Sequence, residues 1–139
     1  MHELKGTVGR AQIASGYWRA FYHPIDCTIL GGTTYQIPAL SGVTRTDYSS
    51  AAYGVNNRGQ TVGYTQIQTL ASRAFIYSPD FGGSITDLNT YPLDGGQTPA
   101  GLGWTLTSAV AINDFGVMAG YDSVAGTSTV WIIYPKCQD

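Results

Sequence analysis

Apolar and polar residues alternate in short runs along the chain, and glycine, asparagine or proline separates one run from the next. A period of two is typical of half-buried strands, whereas an amphipathic helix needs apolar residues every three or four positions. The pattern therefore predicts about ten short β-strands and almost no helix. We expect an all-β protein.

One of these runs occurs twice. Residues 50–64 (SAAYGVNNRGQTVGY) and residues 107–121 (TSAVAINDFGVMAGY) match at a constant spacing of 57 positions, as between Asn56 and Asn113. A recurrence at a long fixed period indicates a repeat architecture. The chain is expected to be built from copies of one β-unit.

Each copy predicts a β-hairpin. Asparagine at the start of the turn can bond its own backbone two residues on, and the glycine at the end, Gly59 or Gly116, supplies a positive φ. Gly63 and Gly120 lie inside the second strand, where a glycine indicates a bulge or a close backbone approach.

The unit extends beyond the hairpin. Arg-Ala-Phe occurs at 19–21 and 73–75, and Thr-Val-Trp occupies the matching place at 129–131, at spacings of 54 and 56. These segments predict a third strand, with an aromatic core residue in each copy. Thr34 to Leu40 and Ser84 to Leu88 predict a fourth strand. The first copy then holds strands 2-3-4, the second 1-2-3-4 and the third 1-2-3. The expected core aromatic residues are Phe21, Phe75 and Trp131.

A unit of four antiparallel strands is the size of a propeller blade, but a propeller ring takes about 4–8 blades. We predict one domain over 1–139, with repeats at approximately 1–49, 50–106 and 107–139. The predicted fold is propeller-like, either partial or completed by oligomerisation. Open strand edges are expected at the ends, and the last strand, Thr129 to Tyr134, carries no charge. A homo-oligomer is therefore expected; the alternative is that the N-terminal segment covers the C-terminal strand.

The charge and composition of the chain indicate which classes of partner to expect. Charged residues are 12% of the chain, the formal net charge is −2, and lysine and arginine form no cluster, so nucleic acid is an unexpected partner. No run of about 18 apolar residues occurs, so no membrane span is predicted. No secretory signal precedes the first strand of this sequence. A small molecule or a carbohydrate stays open as a ligand.

His23 and Asp26 are the candidate catalytic residues. They stand in His-Pro-Ile-Asp-Cys, where the matching positions of the other copies have Tyr77 and Ile133 in place of the histidine. A histidine beside a carboxylate suits acid–base catalysis. The alternative is an ordinary histidine at a strand end.

Two further groups could bind ligands. Trp104 and Asp94 lie in the longest stretch without strand character, 89–108, and form the candidate ligand-binding pair; Trp104 is either a ligand platform or a lid on the sheet. Asn113 and Asp114 supply oxygen atoms that suit a hard cation, so calcium is the candidate metal. The alternative is that they only form the turn.

Cys27 and Cys137 occupy equivalent repeat positions. Equivalent positions in the first and third copies should lie far apart, and a disulfide needs Cα atoms within about 7 Å. Two thiols are therefore expected.

The repeats resemble a known family. Residues 111–120 (AINDFGVMAG), the Arg-Ala-Phe triplets and 85–89 (ITDLN) are similar to the bacterial extracellular repeat proteins of the HAF family, which is named for a His-Ala-Phe triplet. The resemblance implies a propeller-like β-repeat protein of the cell surface or exterior and implies no settled activity. A binding or interaction module without a catalytic motif is the expected function. The alternative is a small lactone or ester hydrolase, with calcium as its cofactor.

Overall fold

The structure, a computed structural model, describes residues 6–24, 35–79, 83–124 and 127–134. Ten strands and three short 3-10 turns, with no α-helix, make up the regular structure of these residues, so the all-β prediction is confirmed. The strands are β1 (Gly6–Gln12), β2 (Trp18–Pro24), β3 (Tyr35–Gln36), β4 (Ser50–Val55), β5 (Thr61–Gln66), β6 (Ser72–Ser78), β7 (Ser84–Asp87), β8 (Ser108–Ile112), β9 (Met118–Val124) and β10 (Thr127–Ile133). The 3-10 turns are Leu88–Thr90, Asp94–Gly96 and Ala100–Leu102.

The strands form three antiparallel sheets in chain order. The first sheet is β1-β2-β3, the second β4-β5-β6-β7 and the third β8-β9-β10. These are the three, four and three strands predicted for the successive copies. The fourth strand of the first copy, β3, has two residues rather than the predicted seven. Pro38 follows it closely and has no N–H to donate to a ladder. Thr34 lies outside the described residues.

The hairpin turns have the predicted chemistry. Asn56 Oδ1 accepts hydrogen bonds from the backbone N–H groups of Arg58 and Gln60, both at 3.0 Å. Asn113 Oδ1 does the same in the third sheet. Gly59 has a φ of 78° and Gly116 a φ of 85°, which confirms the positive φ at the end of each turn.

A bulge lies opposite each in-strand glycine. Between β4 and β5 the register shifts at Ala52 to Gly54, next to the pairing of Ala52 with Gly63. Between β8 and β9 it shifts at Ala109 to Ala111, where Ala109 faces Gly120. The predicted association of these glycines with a bulge is confirmed.

The second sheet is buried on both faces because consecutive residues of β6 contribute to different cores. Phe75 and Tyr77 pack with Ala20, Tyr22 and Ile37 towards the first sheet. Ala74 belongs to the core shared with the third sheet, and Ile76 packs against it. That core contains Val62, Leu88, Leu106, Ala109, Met118, Trp131 and Ile133. The sheets therefore stack face to face in chain order.

The predicted core aromatic residues differ in burial. Phe75 is fully buried and Trp131 is buried, whereas Phe21 is half-buried. In β2 the neighbours Ala20 and Tyr22 face the second sheet, so Phe21 points to the opposite side. No sheet precedes the first one among the described residues, and Phe21 lacks the cover that Phe75 receives.

The described sheets form a stack and no closed ring. Each interface joins sheets that follow one another in the chain. Blade-like sheets need more copies than three to close around an axis. None of the described residues lies in a helix long and apolar enough to cross a membrane.

Candidate interaction site at the open edge of the third sheet

Among the residues that the structure describes, the third sheet has an unpaired edge where the second sheet has a strand. In the second sheet β7 pairs with β6 along Phe75 to Ser78. In the third sheet β10 pairs with β9 alone among the described residues. At the repeat spacing of 56, residues 131–134 correspond to 75–78. Four residues along β10 and just after it are therefore without the partner that their equivalents have.

The side chains of β10 alternate between core and solvent. Trp131 and Ile133 are buried in the core against the second sheet. Val130 is 73% exposed, Ile132 55% and Tyr134, just after the strand, 68%. A soluble protein that leaves an apolar strand edge open usually protects it with charges. Residues 127–134 contain none.

An apolar groove of about 330 Å³ follows the same segment. One wall is formed by residues 130–134, and the other comes from the long loop between β7 and β8. The loop residues are Leu93, Pro99, Leu102, Trp104 and Leu106. Trp104 is 43% exposed, so it forms a wall of the groove rather than part of a closed core. Its role as a ligand platform stays a prediction.

Hydrogen bonds of a buried asparagine side chain hold the loop in place. Asn89 accepts a hydrogen bond from the N–H of Leu106 at 2.7 Å and donates from Nδ2 to the carbonyl of Leu106 at 3.0 Å. Asp87 Oδ1 accepts from both the backbone N–H and Nδ2 of Asn89. The two ends of the loop are thereby tied together, and the groove wall stands on an anchored segment. Asp94 lies in the second 3-10 turn of this loop, and its side chain lies outside the description.

The structure describes one member of the predicted catalytic pair. His23 lies in β2, is half-buried and faces Thr7 of β1 across the sheet. Asp26 lies outside the described residues. The His23–Asp26 pair, and the hydrolase alternative with it, stays a prediction. Cys27 and Cys137 also lie outside the described residues.

The predicted metal ligands connect the turns of consecutive repeats. Asp114 Oδ1 accepts from the N–H of Asn57 at 2.8 Å, and Asp114 Oδ2 accepts from Asn57 Nδ2 at 2.8 Å. Asn56 Nδ2 donates to the carbonyl of Asn113 at 3.1 Å. In the described part of the chain, no three His, Cys, Asp or Glu residues are grouped to hold a metal ion. The calcium role of Asn113 and Asp114 stays a prediction.

Sequence reasoning anticipated the open edge but missed the loop residues beside it. Leu93 and Leu102 lie in a glycine-rich segment whose pattern predicts no strand, so the apolar pattern did not mark their position. A usable signal was present in the repeat spacing. Since Trp131 matches Phe75, β10 corresponds to β6, and the place that β7 occupies beside β6 is left to another segment in the third sheet.

Comparison with known proteins adds no assignment, because the chain matches no family model, no curated protein and no solved structure.

Proposed function

We propose that this protein is a β-repeat interaction module that associates with a second copy of itself through the open edge of β10. The observation that carries the proposal is the outer edge of segment 131–134, which pairs with no strand beyond β9 among the described residues, whereas the equivalent residues 75–78 also pair with β7. A free edge offers N–H and C=O groups in a row, and pairing with an added strand satisfies them.

The exposed side chains of residues 130–134 also support association. Val130, Ile132 and Tyr134 place apolar surface around the edge, and no charge lies between residues 127 and 134. The groove beside Trp104 adds apolar area next to the missing strand. Burying this surface is favourable at roughly 25 cal/mol per Å².

A second copy is the proposed partner because the chain is a stack of like units. Each described interface joins one repeat to the next face to face, so a second copy that pairs along β10 can also stack its repeats on the outer face of the third sheet, which carries Val130 and Ile132. Closed dimers are the commonest soluble assembly. Two chains together carry six of the described sheets, a number within the range of about 4–8 blades of a propeller ring. Membership of the HAF-type repeat proteins and a location at the cell surface or exterior belong to this proposal through the resemblance alone.

Light scattering over a wide range of protein concentration tests the proposal. We expect a dimer that dissociates on dilution, and a shift to monomer when Val130 and Ile132 are both replaced by lysine. Both side chains face solvent, so the folded chain tolerates the change. Phe115→Lys is the matched control, because Phe115 is 83% exposed but lies in a hairpin turn.

A synthetic peptide of residues 83–89 (GSITDLN), which contains β7, probes the same edge. It should compete with self-association and bind the monomer at low concentration. A protein that is monomeric at every concentration would overturn self-association. If the monomer then binds the peptide, the edge takes its strand from a different partner.

A further inference from the structure

The second and third sheets enclose a cleft that is separate from the open edge. Its volume is about 550 Å³, within the range of small-molecule sites. Tyr53, Tyr64 and Tyr121 line it together with Arg73, Thr105 and Ser108. The aromatic residues come from strands of both sheets, so the stacking of the repeats creates the site.

The first repeat shows what a closed version of this position looks like. Arg19 is 5% exposed, and its guanidinium lies 3.7 Å from the ring centroid of Tyr48. Arg19 Nη1 donates to the carbonyls of Trp18 and Tyr48, and Nη2 donates to the carbonyl of Thr46 at 2.8 Å. This arginine is a structural residue that packs on an aromatic ring, as its recurrence in the sequence suggests.

The second repeat keeps the arginine but not its cover. Arg73 donates from Nη1 to the carbonyl of Ser72 at 3.0 Å, which matches the bond from Arg19 to Trp18. At the spacing of 57, Thr105 stands where Tyr48 does. No other hydrogen bond and no ion pair of Arg73 is formed among the described residues, so its guanidinium retains unused donors at the cleft.

A buried hydroxyl provides an independent sign of a ligand. Ser108 is 4% exposed, and its Oγ has no hydrogen-bond partner within the described residues. Leaving a buried polar atom unpaired costs free energy, and such atoms are rare unless water or a ligand completes them. Ser108 lines the cleft, so a ligand there would supply the missing partner.

The aromatic residues of the cleft indicate the chemistry of the rest of the ligand. Tyr53 and Tyr64 stack with ring centroids 6.0 Å apart and an angle of 29° between the rings. Tyr53 is the extra residue of the β4 bulge, which directs it out of the ladder. Burial raises the pKa of Tyr53, and neighbouring Tyr64 and Tyr121 raise it further against a smaller lowering by Arg10. A phenol is neutral at pH 7 even at its usual pKa, so Tyr53 is a neutral hydrogen-bond donor there.

We infer that this cleft binds an acidic saccharide, with the carboxylate on Arg73 and the sugar ring against Tyr53 and Tyr64. A guanidinium pairs with a carboxylate through two parallel N–H bonds. The remaining lining groups, which include the Ser108 hydroxyl and Thr105, suit a polyhydroxylated ring better than a purely aromatic acid. The inference does not depend on association at β10.

Calorimetric titration with digalacturonic acid tests the inference, and its dimethyl ester, in which both carboxylates are esterified and uncharged, is the matched ligand. The acid should bind at least about tenfold more tightly than the ester, since a charge-assisted hydrogen bond contributes that much. Arg73→Gln should remove this preference, and Arg73→Lys should restore part of it. Arg58→Gln is the control, because Arg58 is an exposed arginine of the β4–β5 turn.

Thr105→Tyr gives a second, independent test. It reinstates the residue that covers Arg19 in the first repeat, so it should fill the cleft and abolish binding while the melting temperature is kept or raised. The inference is overturned if the wild-type protein does not bind digalacturonate at millimolar concentration, or if Arg73→Gln binds it unchanged. Binding of 4-hydroxybenzoate without binding of the saccharide would also overturn it.

Discussion

At the scale of single residues, equivalent positions of the repeats fall into two groups. In the first group the backbone contacts within one sheet require a particular residue, and in the second the neighbouring sheet determines what the residue contacts. Gly63 and Gly120 belong to the first group. A Cβ on Gly63 would overlap the carbonyl oxygen of Ala51, and one on Gly120 would overlap that of Ser108. The same bulge brings the same backbone atoms close in both hairpins, so both copies need glycine.

Replacing Gly63 with alanine should therefore destabilise the protein by about 1–3 kcal/mol, the usual cost of overpacking a buried site. Chemical denaturation of the variant measures the change in the free energy of unfolding. Gly101→Ala is the control, since the nearest atom to a Cβ there is the flexible Thr98 Oγ1 at 3.2 Å. Equal stability of the two variants would show that the β4–β5 backbone does not approach as closely as described.

At the scale of elements, the hairpin turns stabilise more than their own hairpins. Asn57 in the β4–β5 turn holds both carboxylate oxygens of Asp114, which lies 57 positions later in the β8–β9 turn. The turns of consecutive repeats are thereby locked in register. Hydrogen bonds to a charged group contribute more than those between neutral groups.

A double-mutant cycle on Asn57 and Asp114 measures this lock. Asn57→Ala and Asp114→Ala should each destabilise the protein, and the double variant should lose less than the sum of the two. The coupling expected for residues in direct contact is about 0.5–3 kcal/mol. Because Asn57 also donates through its backbone N–H, part of the contact survives Asn57→Ala and the coupling should lie in the lower part of that range. Strict additivity would mean that the two turns do not bond in solution.

At the scale of the whole molecule, position in the stack decides what a residue contributes. Phe21 and Phe75 close the same triplet, Arg-Ala-Phe, in the first and second repeats. Phe75 is fully buried between two sheets, whereas Phe21 lies on the outer side of the first sheet and is half-buried. The same substitution should therefore have different effects at the two positions.

Phe75→Ala should cost about 3–5 kcal/mol, because it removes a large side chain from a closed core. Phe21→Ala should cost less than half as much when measured at a concentration that keeps the protein monomeric. Thermal and denaturant unfolding of both variants provide the comparison. Similar costs would indicate that a further surface covers Phe21 in the monomer.

The local parts of this protein follow from sequence alone. The hairpins, their asparagine turns, the positive φ of Gly59 and Gly116 and the strand content of each repeat were predictable, because each depends on residues a few positions apart. The repeat makes the prediction stronger, since two copies of one pattern have to fold in the same way.

Only the tertiary structure decided which faces are covered. Arg19 is closed by Tyr48 while Arg73 opens onto a cleft, and the open edge of β10 lies beside a loop that no strand pattern marks. Alternation along a strand predicts that a side chain leaves the sheet on one side, but not what it meets there. Its neighbours come from the next sheet in the stack, dozens of residues away, and the packing of whole sheets determines them.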